Sequence, residues 1–396
     1  MKQHKVLILG GGASGLAAAI ISARKGAQVT LLERADRVGK KLLATGNGRC
    51  NLANLGAPRY FGDPDFAGAV LSRMPVRGVL DFFREIGLPT RPDGAGRVYP
   101  GCNQAAAVLD VLRAQLDALG VRVITGAEVK GLKPGWQAVT TQGNYTADSV
   151  IVCCGGLAAP KLGAVNAYHL LTDLGCRLIP PAPALAPLET EKAPVKGLSG
   201  LRLPAVLTLC GDRPVAAAMG EALFADYGVS GVCAMQLARD AENLLRRGQK
   251  ATLYMDYSPT LGLTEYRMER MEPQLPGHSE RQIRDWLHAR EALPGGDPLL
   301  GALPRLLREK LQKAPARDLP RLLCAYPLPL TGVRGFDQAQ VTQGGIDCRD
   351  FNPVTLRHRA LPGLYACGEI LNVDGDCGGY NLQFAFATGL LAGRDA

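Results

Sequence analysis

Residues Lys5–Glu33 have the sequence KVLILGGGASGLAAAIISARKGAQVTLLE, in which a short apolar run is followed by a glycine-rich turn and an alanine-rich segment. After its first residue, the run Lys5–Leu9 is apolar without alternation, which is typical of a parallel strand buried on both faces. Ala13–Lys25 is predicted to form a helix that ends at Gly26, and Gln28–Leu32 to form a second strand. This order predicts a βαβ unit, a motif of about 30 residues.

The turn between the first strand and the helix has the sequence GGGASG and matches the pattern G-x-G-x-x-G. We expect Gly10 to permit the tight turn, Gly12 to let a pyrophosphate approach the backbone, and Gly15 to let helix and strand pack closely. The N-terminus of the helix would offer N–H groups to the phosphates. Glu33 ends the second strand and is placed to accept hydrogen bonds from ribose hydroxyls. The pattern therefore predicts a dinucleotide site, and the alternative is a glycine-rich turn in an unrelated α/β protein.

The segment that follows Glu33 favours FAD over NAD. Arg34–Lys41 is basic, and Leu42–Asn54 (LLATGNGRCNLAN) is rich in glycine and polar residues. A segment of this kind can wrap a pyrophosphate or a flavin edge, whereas the alternative is an ordinary polar loop. The donors in it are Thr45, Asn47, Arg49 and Asn51.

Two later segments have the composition expected around a flavin. Val150–Gly156 (VIVCCGG) is a predicted strand that ends in paired glycines, and Leu364–Glu369 (LYACGE) is one that ends in a glycine and an acid. We expect the latter to return to the first domain, where Glu369 would bond the ribityl chain. Gly378 and Gly379 precede an alanine-rich helix and can present N–H groups to the flavin ring. The alternative is a C-terminal loop with a docking helix.

Composition restricts the remaining possibilities. The 396 residues are 47% hydrophobic and 20% charged, which indicates a soluble protein of two or three domains. The eleven cysteines include no C-x-x-C pair, and the five histidines have no metal-ligand spacing, so no metal site is predicted. A disulfide reductase would also need a second G-x-G-x-x-G, and none is present. With no signal peptide and no long apolar run, we expect a cytoplasmic protein that does not enter a membrane.

Proline content marks the predicted domain boundary. Residues 180–194 hold five prolines, which indicates a connection that leaves the first domain. We predict a first part of the FAD-binding domain at 1–190, an inserted β-rich domain at 191–260, a helical insertion at 261–325, and a return to the FAD-binding domain at 326–396.

Four segments resemble the aminoacetone oxidase family of FAD-binding enzymes, which are NAD(P)/FAD-dependent flavoproteins. They are Glu33–Asn54, Met219–Gly231 (MGEALFADYGVSG), Gln340–Asp347 (QVTQGGID) and Leu361–Gly393. The resemblance spans essentially the whole chain, and the family includes a reductase of 3-oxo-Δ4,6 bile acids. It implies an α/β fold: a Rossmann-like FAD-binding domain with an inserted β-barrel-like domain and a small helical domain. Leu157–His169 is less polar than the corresponding family segment, so no cofactor contact is predicted there.

The motifs and the resemblance together give the candidate site. Tyr380 is the catalytic candidate, because a phenol beside paired glycines can donate to a ketone oxygen. The alternative for Tyr380 is a packing role, and Cys50 is a second candidate for which a structural role is favoured. The predicted FAD contacts are Gly10, Gly12, Ala13, Ser14, Gly15, Glu33, Arg34, Lys41, Thr45, Gly46, Asn47, Gly48, Arg49, Cys50, Asn51, Val129, Cys154, Gly155, Gly156, Gly368, Glu369, Gly378, Gly379, Tyr380, Asn381 and Leu382.

Three functions remain open. The leading one is an oxidoreductase that passes hydride through flavin N5 to or from a small organic substrate. A conjugated ketone or steroid-like acid would be the substrate, with NAD(P)H as a diffusible donor. The second is an amine oxidase that uses O₂, as the family label suggests. The third is a FAD protein that acts on RNA, which the net charge of +9 permits. Basic residues in 239–322 alternate with acids, which favours a solvated face, so we do not expect nucleic acid as a partner.

Overall fold

The structure is a computed structural model that describes residues 3–57, 59–292 and 296–396. Contacts divide the chain into two compact units, one formed by 1–182 with 341–396 and the other by 183–340. The predicted segments 191–260 and 261–325 both lie in the second unit, which extends beyond them at both ends. The first unit contains a parallel β-sheet, and the strands of the second unit pair into a barrel. Both observations confirm the predicted α/β class with an inserted barrel.

A five-stranded parallel sheet forms the centre of the first unit. Leu9, at the end of the first strand, lies opposite Leu32 on one side and Val152 on the other. Its apolar strands are buried on both faces, which explains why they lack alternation. The strand order is Leu364–Ala366, Ser149–Val152, Lys5–Leu9, Gln28–Leu32 and Arg122–Ile124.

The helix after the glycine-rich turn, Ala13–Arg24, packs against the C-terminal helix Tyr380–Asp395. Small residues allow this close approach, because a Cβ at Gly389 would overlap with the carbonyl oxygen of Ser14. The buried face of the C-terminal helix belongs to the same core as the parallel sheet. The other α-helices of this unit are Lys40–Ala44, Pro64–Arg73, Val76–Glu85, Ala105–Ala118 and His169–Thr172.

Smaller sheets complete the first unit. One contains Val129–Lys133, Gln137–Thr140 and Gly143–Thr146, and a second contains Ala53–Asn54, Arg97–Pro100 and Thr90–Pro92. Tyr60–Gly62 pairs with Val373–Gly375, and Leu178–Ala184 with Val341–Ile346. Short 3₁₀ helices lie at Pro160–Leu162, Cys348–Asp350 and Gly368–Ile370.

Six strands of the second unit close into a barrel. Closure comes from antiparallel pairing between Arg202–Cys210 and Pro214–Ala225. The other barrel strands are Thr252–Asp256, Tyr326–Val333, Leu188–Thr190 and Gly228–Ser230, and a further strand, Glu269–Met271, pairs with Pro214–Ala225 outside the ring. The helices are Lys192–Val195, Val232–Gln236, Ala238–Arg246, Glu280–Arg290, Arg305–Leu311 and Leu319–Cys324, with a 3₁₀ turn at Ala316–Asp318.

The proline-rich residues 180–194 cross from the first unit to the second, but they are not only a connection. They include most of the strand Leu178–Ala184 and all of Leu188–Thr190. Three prolines fit in the first of these strands because its sheet has two strands, so one side of the strand needs no N–H donor.

Candidate cofactor site

The glycine-rich turn brings the first strand and the first helix into close contact. Gly10 has a φ of +104°, and a Cβ there would lie 2.5 Å from the carbonyl oxygen of Cys153. A Cβ at Gly15 would overlap with the carbonyl oxygen of Gly10. These two glycines are therefore required by the protein's own packing.

Gly12 differs from its neighbours because a Cβ there would meet no protein atom within 4 Å. It precedes the helix Ala13–Arg24, which has no side-chain cap. Leu16 is the first residue of this helix whose N–H bonds a carbonyl, that of Gly12, at 2.9 Å. The preceding N–H groups, those of Ala13, Ser14 and Gly15, find no acceptor in the described part of the chain. Open space beside free N–H groups fits the pyrophosphate of a dinucleotide.

Glu33 is held at the end of the second strand by two backbone donors. The Gly11 N–H donates to its Oε2 at 2.8 Å, and the Ala35 N–H donates to its Oε1 at 2.7 Å. Each carboxylate oxygen keeps a further lone pair, so Glu33 can still accept hydroxyl donors. Nearby, the Arg34 guanidinium donates to the carbonyl of Gly163 at 3.1 Å.

Glu33→Ala is expected to lower the affinity for FAD by about tenfold to a hundredfold, because hydrogen bonds to a charged group contribute about 1.5–3 kcal/mol. Titration of the apoprotein with FAD, followed by flavin fluorescence, measures the change. Asp36→Ala is the control, since this carboxylate is 74% exposed and pairs with Lys40 at the surface. If both variants bind FAD like the wild type, Glu33 does not contact the cofactor.

Residues 45–50 form a largely exposed loop with unusual backbone. Asn47 and Cys50 both have positive φ, at 55° and 57°. The Arg49 guanidinium carbon lies 4.9 Å from the centre of the Tyr99 ring, and the Thr45 hydroxyl donates to a backbone carbonyl. Burial raises the pKa of the Cys50 thiol to about 12. A thiol that stays protonated at neutral pH favours the structural role of Cys50 over the catalytic one.

Asn51 carries a buried acceptor without a donor. Its Oδ1 has no hydrogen-bond partner within residues 3–57, 59–292 and 296–396. A Cβ at Gly379 would lie 2.6 Å from this oxygen, so Asn51 borders the start of the C-terminal helix. Buried acceptors in folded proteins are normally satisfied, and a bound cofactor can supply the missing donor.

Two predicted segments, more than 300 residues apart in sequence, are joined by hydrogen bonds. The Asn54 amide donates to the Gly378 carbonyl at 2.8 Å, and the Asn54 N–H donates to Oε1 of Gln383 at 3.1 Å. The Tyr60 hydroxyl donates to the carbonyl of Tyr380 at 2.9 Å. Asn54, Tyr60 and Gln383 were not predicted as site residues, although Asn54 and Gln383 lie inside the segments that carry the family resemblance.

Tyr380 begins the C-terminal helix and is half-buried. Its ring packs edge-on against Tyr60, with 6.2 Å between ring centres. Burial raises the pKa of its hydroxyl, so the phenol is protonated at neutral pH. That hydroxyl donates to no acceptor in the described part of the chain, whereas both atoms of the neighbouring Asn381 amide bond Gly375 at 2.8 Å. Tyr380 can therefore donate to a ligand, and Asn381 fixes the loop before the helix.

Glu369 lies where three chain segments meet. Its Oε2 pairs with the Lys41 ammonium at 2.7 Å, and its Oε1 accepts the Thr342 N–H at 2.8 Å. The Thr342 hydroxyl accepts the N–H groups of Leu157 and Ala158 at 2.8 and 3.0 Å. Thr342 was missed by sequence reasoning, although it belongs to the QVTQGGID segment.

The other predicted residues lie in the same unit. Cys154 donates its thiol to the Leu9 carbonyl at 3.5 Å, and a Cβ at Gly156 would lie 2.5 Å from the Thr342 hydroxyl oxygen. The Gly368 N–H bonds the Thr388 hydroxyl at 3.0 Å. Positive φ occurs at Gly46, Gly48, Gly155, Gly368, Gly378 and Gly379, and Val129 and Leu382 are half-buried and packed against the core.

A separate cluster has the residue types of a metal site. Ligand atoms of Cys176, Asp350 and His358 lie within 4.8 Å of one another. The Nδ1 atom of His358 accepts the N–H groups of Ala360 and Leu361, both at 3.1 Å. A neutral ring then carries its proton on Nε2, so neither nitrogen has a lone pair left for a metal.

Comparison with known proteins places the chain among the flavoproteins. A family model described as the HI0933-like protein Rossmann domain matches residues 4–395. The chain belongs to this family. Among its relatives is a 3-dehydro-bile acid delta(4,6)-reductase from Clostridium scindens, 38% identical, in an alignment that covers 100% of this chain and 99% of that protein.

Two further relatives are ribosomal RNA dihydrouridine synthases. The synthase of Haemophilus influenzae is 27% identical, in an alignment that covers 96% of this chain and 96% of that protein. The synthase of Escherichia coli is 25% identical, in an alignment that covers 100% of this chain and 98% of that protein. The family confirms the predicted Rossmann fold and the prediction of a FAD-dependent oxidoreductase. In the described part of the chain, no helix has the length and apolarity to cross a membrane.

Proposed function

We propose that this enzyme adds hydride from flavin N5 to a carbon–carbon double bond conjugated to a carbonyl, with NAD(P)H as the diffusible donor. The observation that carries the proposal is the Tyr380 hydroxyl, which is protonated, has no partner in the described residues, and borders the candidate cofactor site. Such a hydroxyl can donate to a carbonyl oxygen, which gains negative charge when hydride adds to the conjugated bond.

The names of the relatives support this reaction class. A delta(4,6)-reductase of a 3-dehydro bile acid and a dihydrouridine synthase each add hydrogen across a double bond conjugated to a carbonyl. The greater identity of the bile-acid enzyme, 38% against 27% and 25% for the two synthases, favours a conjugated ketone or a steroid-like acid as the substrate. FAD, when bound, supplies the hydride, and this chain's residues position the substrate and provide the proton donor.

A FAD protein that acts on RNA is the second candidate. It is favoured by the two dihydrouridine synthase relatives and by the net charge of +9. The absorbance ratio at 260 and 280 nm of the purified protein tests for co-purified RNA.

Two half-reactions separate these functions. The protein is first reduced without oxygen by NADH, NADPH or an amine, and the loss of flavin absorbance near 450 nm is followed. It is then mixed with a 3-oxo-Δ4 steroid acid, a ribosomal RNA fragment or O₂. We expect reduction by a nicotinamide and rapid reoxidation by the steroid acid. Reduction by the amine alone, with reoxidation by O₂ alone, would instead identify an amine oxidase.

Tyr380→Phe is expected to slow reoxidation by the conjugated ketone by roughly 10²–10⁴, the usual contribution of a positioned proton donor. Flavin reduction by NAD(P)H should keep its rate, because that step does not need the phenol. Tyr145→Phe is the control, since Tyr145 is also half-buried but lies in the small sheet Val129–Thr146. A Tyr380 variant with unchanged reoxidation would leave this residue with a packing role.

A further inference from the structure

Two carboxylates lie in the candidate site of a cofactor that itself carries two phosphate charges. Glu33 is bonded by backbone N–H groups, and no cation pairs with it in the described part of the chain. Glu369 is different, because the Lys41 ammonium lies 2.7 Å from its Oε2. The side chains of Lys41 and Glu369 are 33% and 18% exposed, so water screens this pair only in part.

The position of Glu369 depends on donors from distant parts of the chain. Thr342 donates its N–H to Oε1, and Gly156 donates to Oε2 at 3.4 Å. Both of these donors are neutral. Lys41 is therefore the donor that also compensates the charge of the carboxylate.

We propose that Lys41 is a positioning residue that acts through Glu369: its ammonium neutralises the carboxylate so that an anionic cofactor can bind beside it. The proposal rests on FAD occupying the candidate site. Without Lys41, a partly buried negative charge would face the cofactor and repel its phosphates. Without both charges, the repulsion disappears and the site keeps its neutral hydrogen bonds.

Lys41→Met, Glu369→Gln and the double variant test this coupling. The dissociation constant for FAD is measured by flavin fluorescence at about 0.02 M and 0.5 M salt. We expect Lys41→Met to weaken binding about tenfold or more at low salt, with a smaller loss at high salt because salt screens the repulsion. The double variant should recover to within about threefold of the wild type. Lys40→Met is the matched control, since it removes the same charge from the same helix but breaks a surface pair with Asp36.

Losses that add in the double variant would overturn the proposal, because they would show that Lys41 binds the cofactor directly. Equal affinity of Lys41→Met and the wild type would also overturn it. Either result is distinguishable from failure of the proposed function, because wild-type FAD binding and reoxidation by the conjugated ketone are measured on the unaltered protein.

Discussion

Gly12→Val should give a folded protein that has lost FAD. A Cβ at this position meets no protein atom within 4 Å, and Gly12 has an ordinary φ of −85°, so valine fits the protein itself. The same side chain would fill the space in front of the helix N-terminus, where we place the pyrophosphate. Absorbance near 450 nm after incubation with FAD reports the cofactor, and thermal unfolding of the apoprotein reports the fold.

Two other glycines give the controls for this experiment. Gly68→Val should bind FAD normally, because Gly68 lies in the helix Pro64–Arg73 with no atom near its Cβ position. Gly15→Val should instead disturb the fold, because its Cβ overlaps with the backbone of Gly10. A yellow Gly12→Val protein with full FAD occupancy would show that the pyrophosphate lies elsewhere.

Gly389→Val should destabilise the first unit strongly. A Cβ at Gly389 would overlap with the backbone oxygen of Ser14, and backbone cannot rotate away as a side chain can. Forcing packed elements apart in this way costs about 3 kcal/mol, the upper end of the usual range for an overpacked core. For a folded unit of this size we expect a midpoint of thermal unfolding roughly 6–12 °C below that of the wild type.

Differential scanning calorimetry of the apoprotein measures this change without the contribution of bound FAD. Gly68→Val again serves as the control, since it adds the same side chain to an exposed helix position. An unchanged midpoint for Gly389→Val would mean that the two helices can separate at no cost, contrary to the packing of Ser14 against the C-terminal helix.

The sequence predicts the βαβ unit well because all the features that identify this unit lie close together in the chain. Strand, turn, helix and Glu33 follow one another within 29 residues, and the role expected of each glycine in the turn follows from its position in the G-x-G-x-x-G pattern. The partners of Glu369 cannot be inferred in this way. Lys41 and Thr342 meet Glu369 only after distant segments pack together, and no spacing in the sequence encodes that contact.

Two differences between the prediction and the structure arise from such contacts between distant segments. Thr342 is the one hydroxyl-bearing residue of the segment QVTQGGID, and its importance appears only when the N–H groups of Leu157 and Ala158 are seen to bond it. The proline-rich residues 180–194 were predicted from composition as a connection. Composition cannot show that a strand there pairs on one side alone and therefore tolerates proline.

The division of the first unit between the two parts of the chain affects how the enzyme is made. Residues 183–340 are contiguous, so the barrel has all its strands as soon as they emerge from the ribosome. The nucleotide-binding sheet still lacks Leu364–Ala366 at that time, and the first helix lacks its partner Tyr380–Asp395. If FAD occupies the candidate site, we therefore expect it to be held only after these later elements have been synthesised, so that the cofactor is acquired late in the biogenesis of the enzyme.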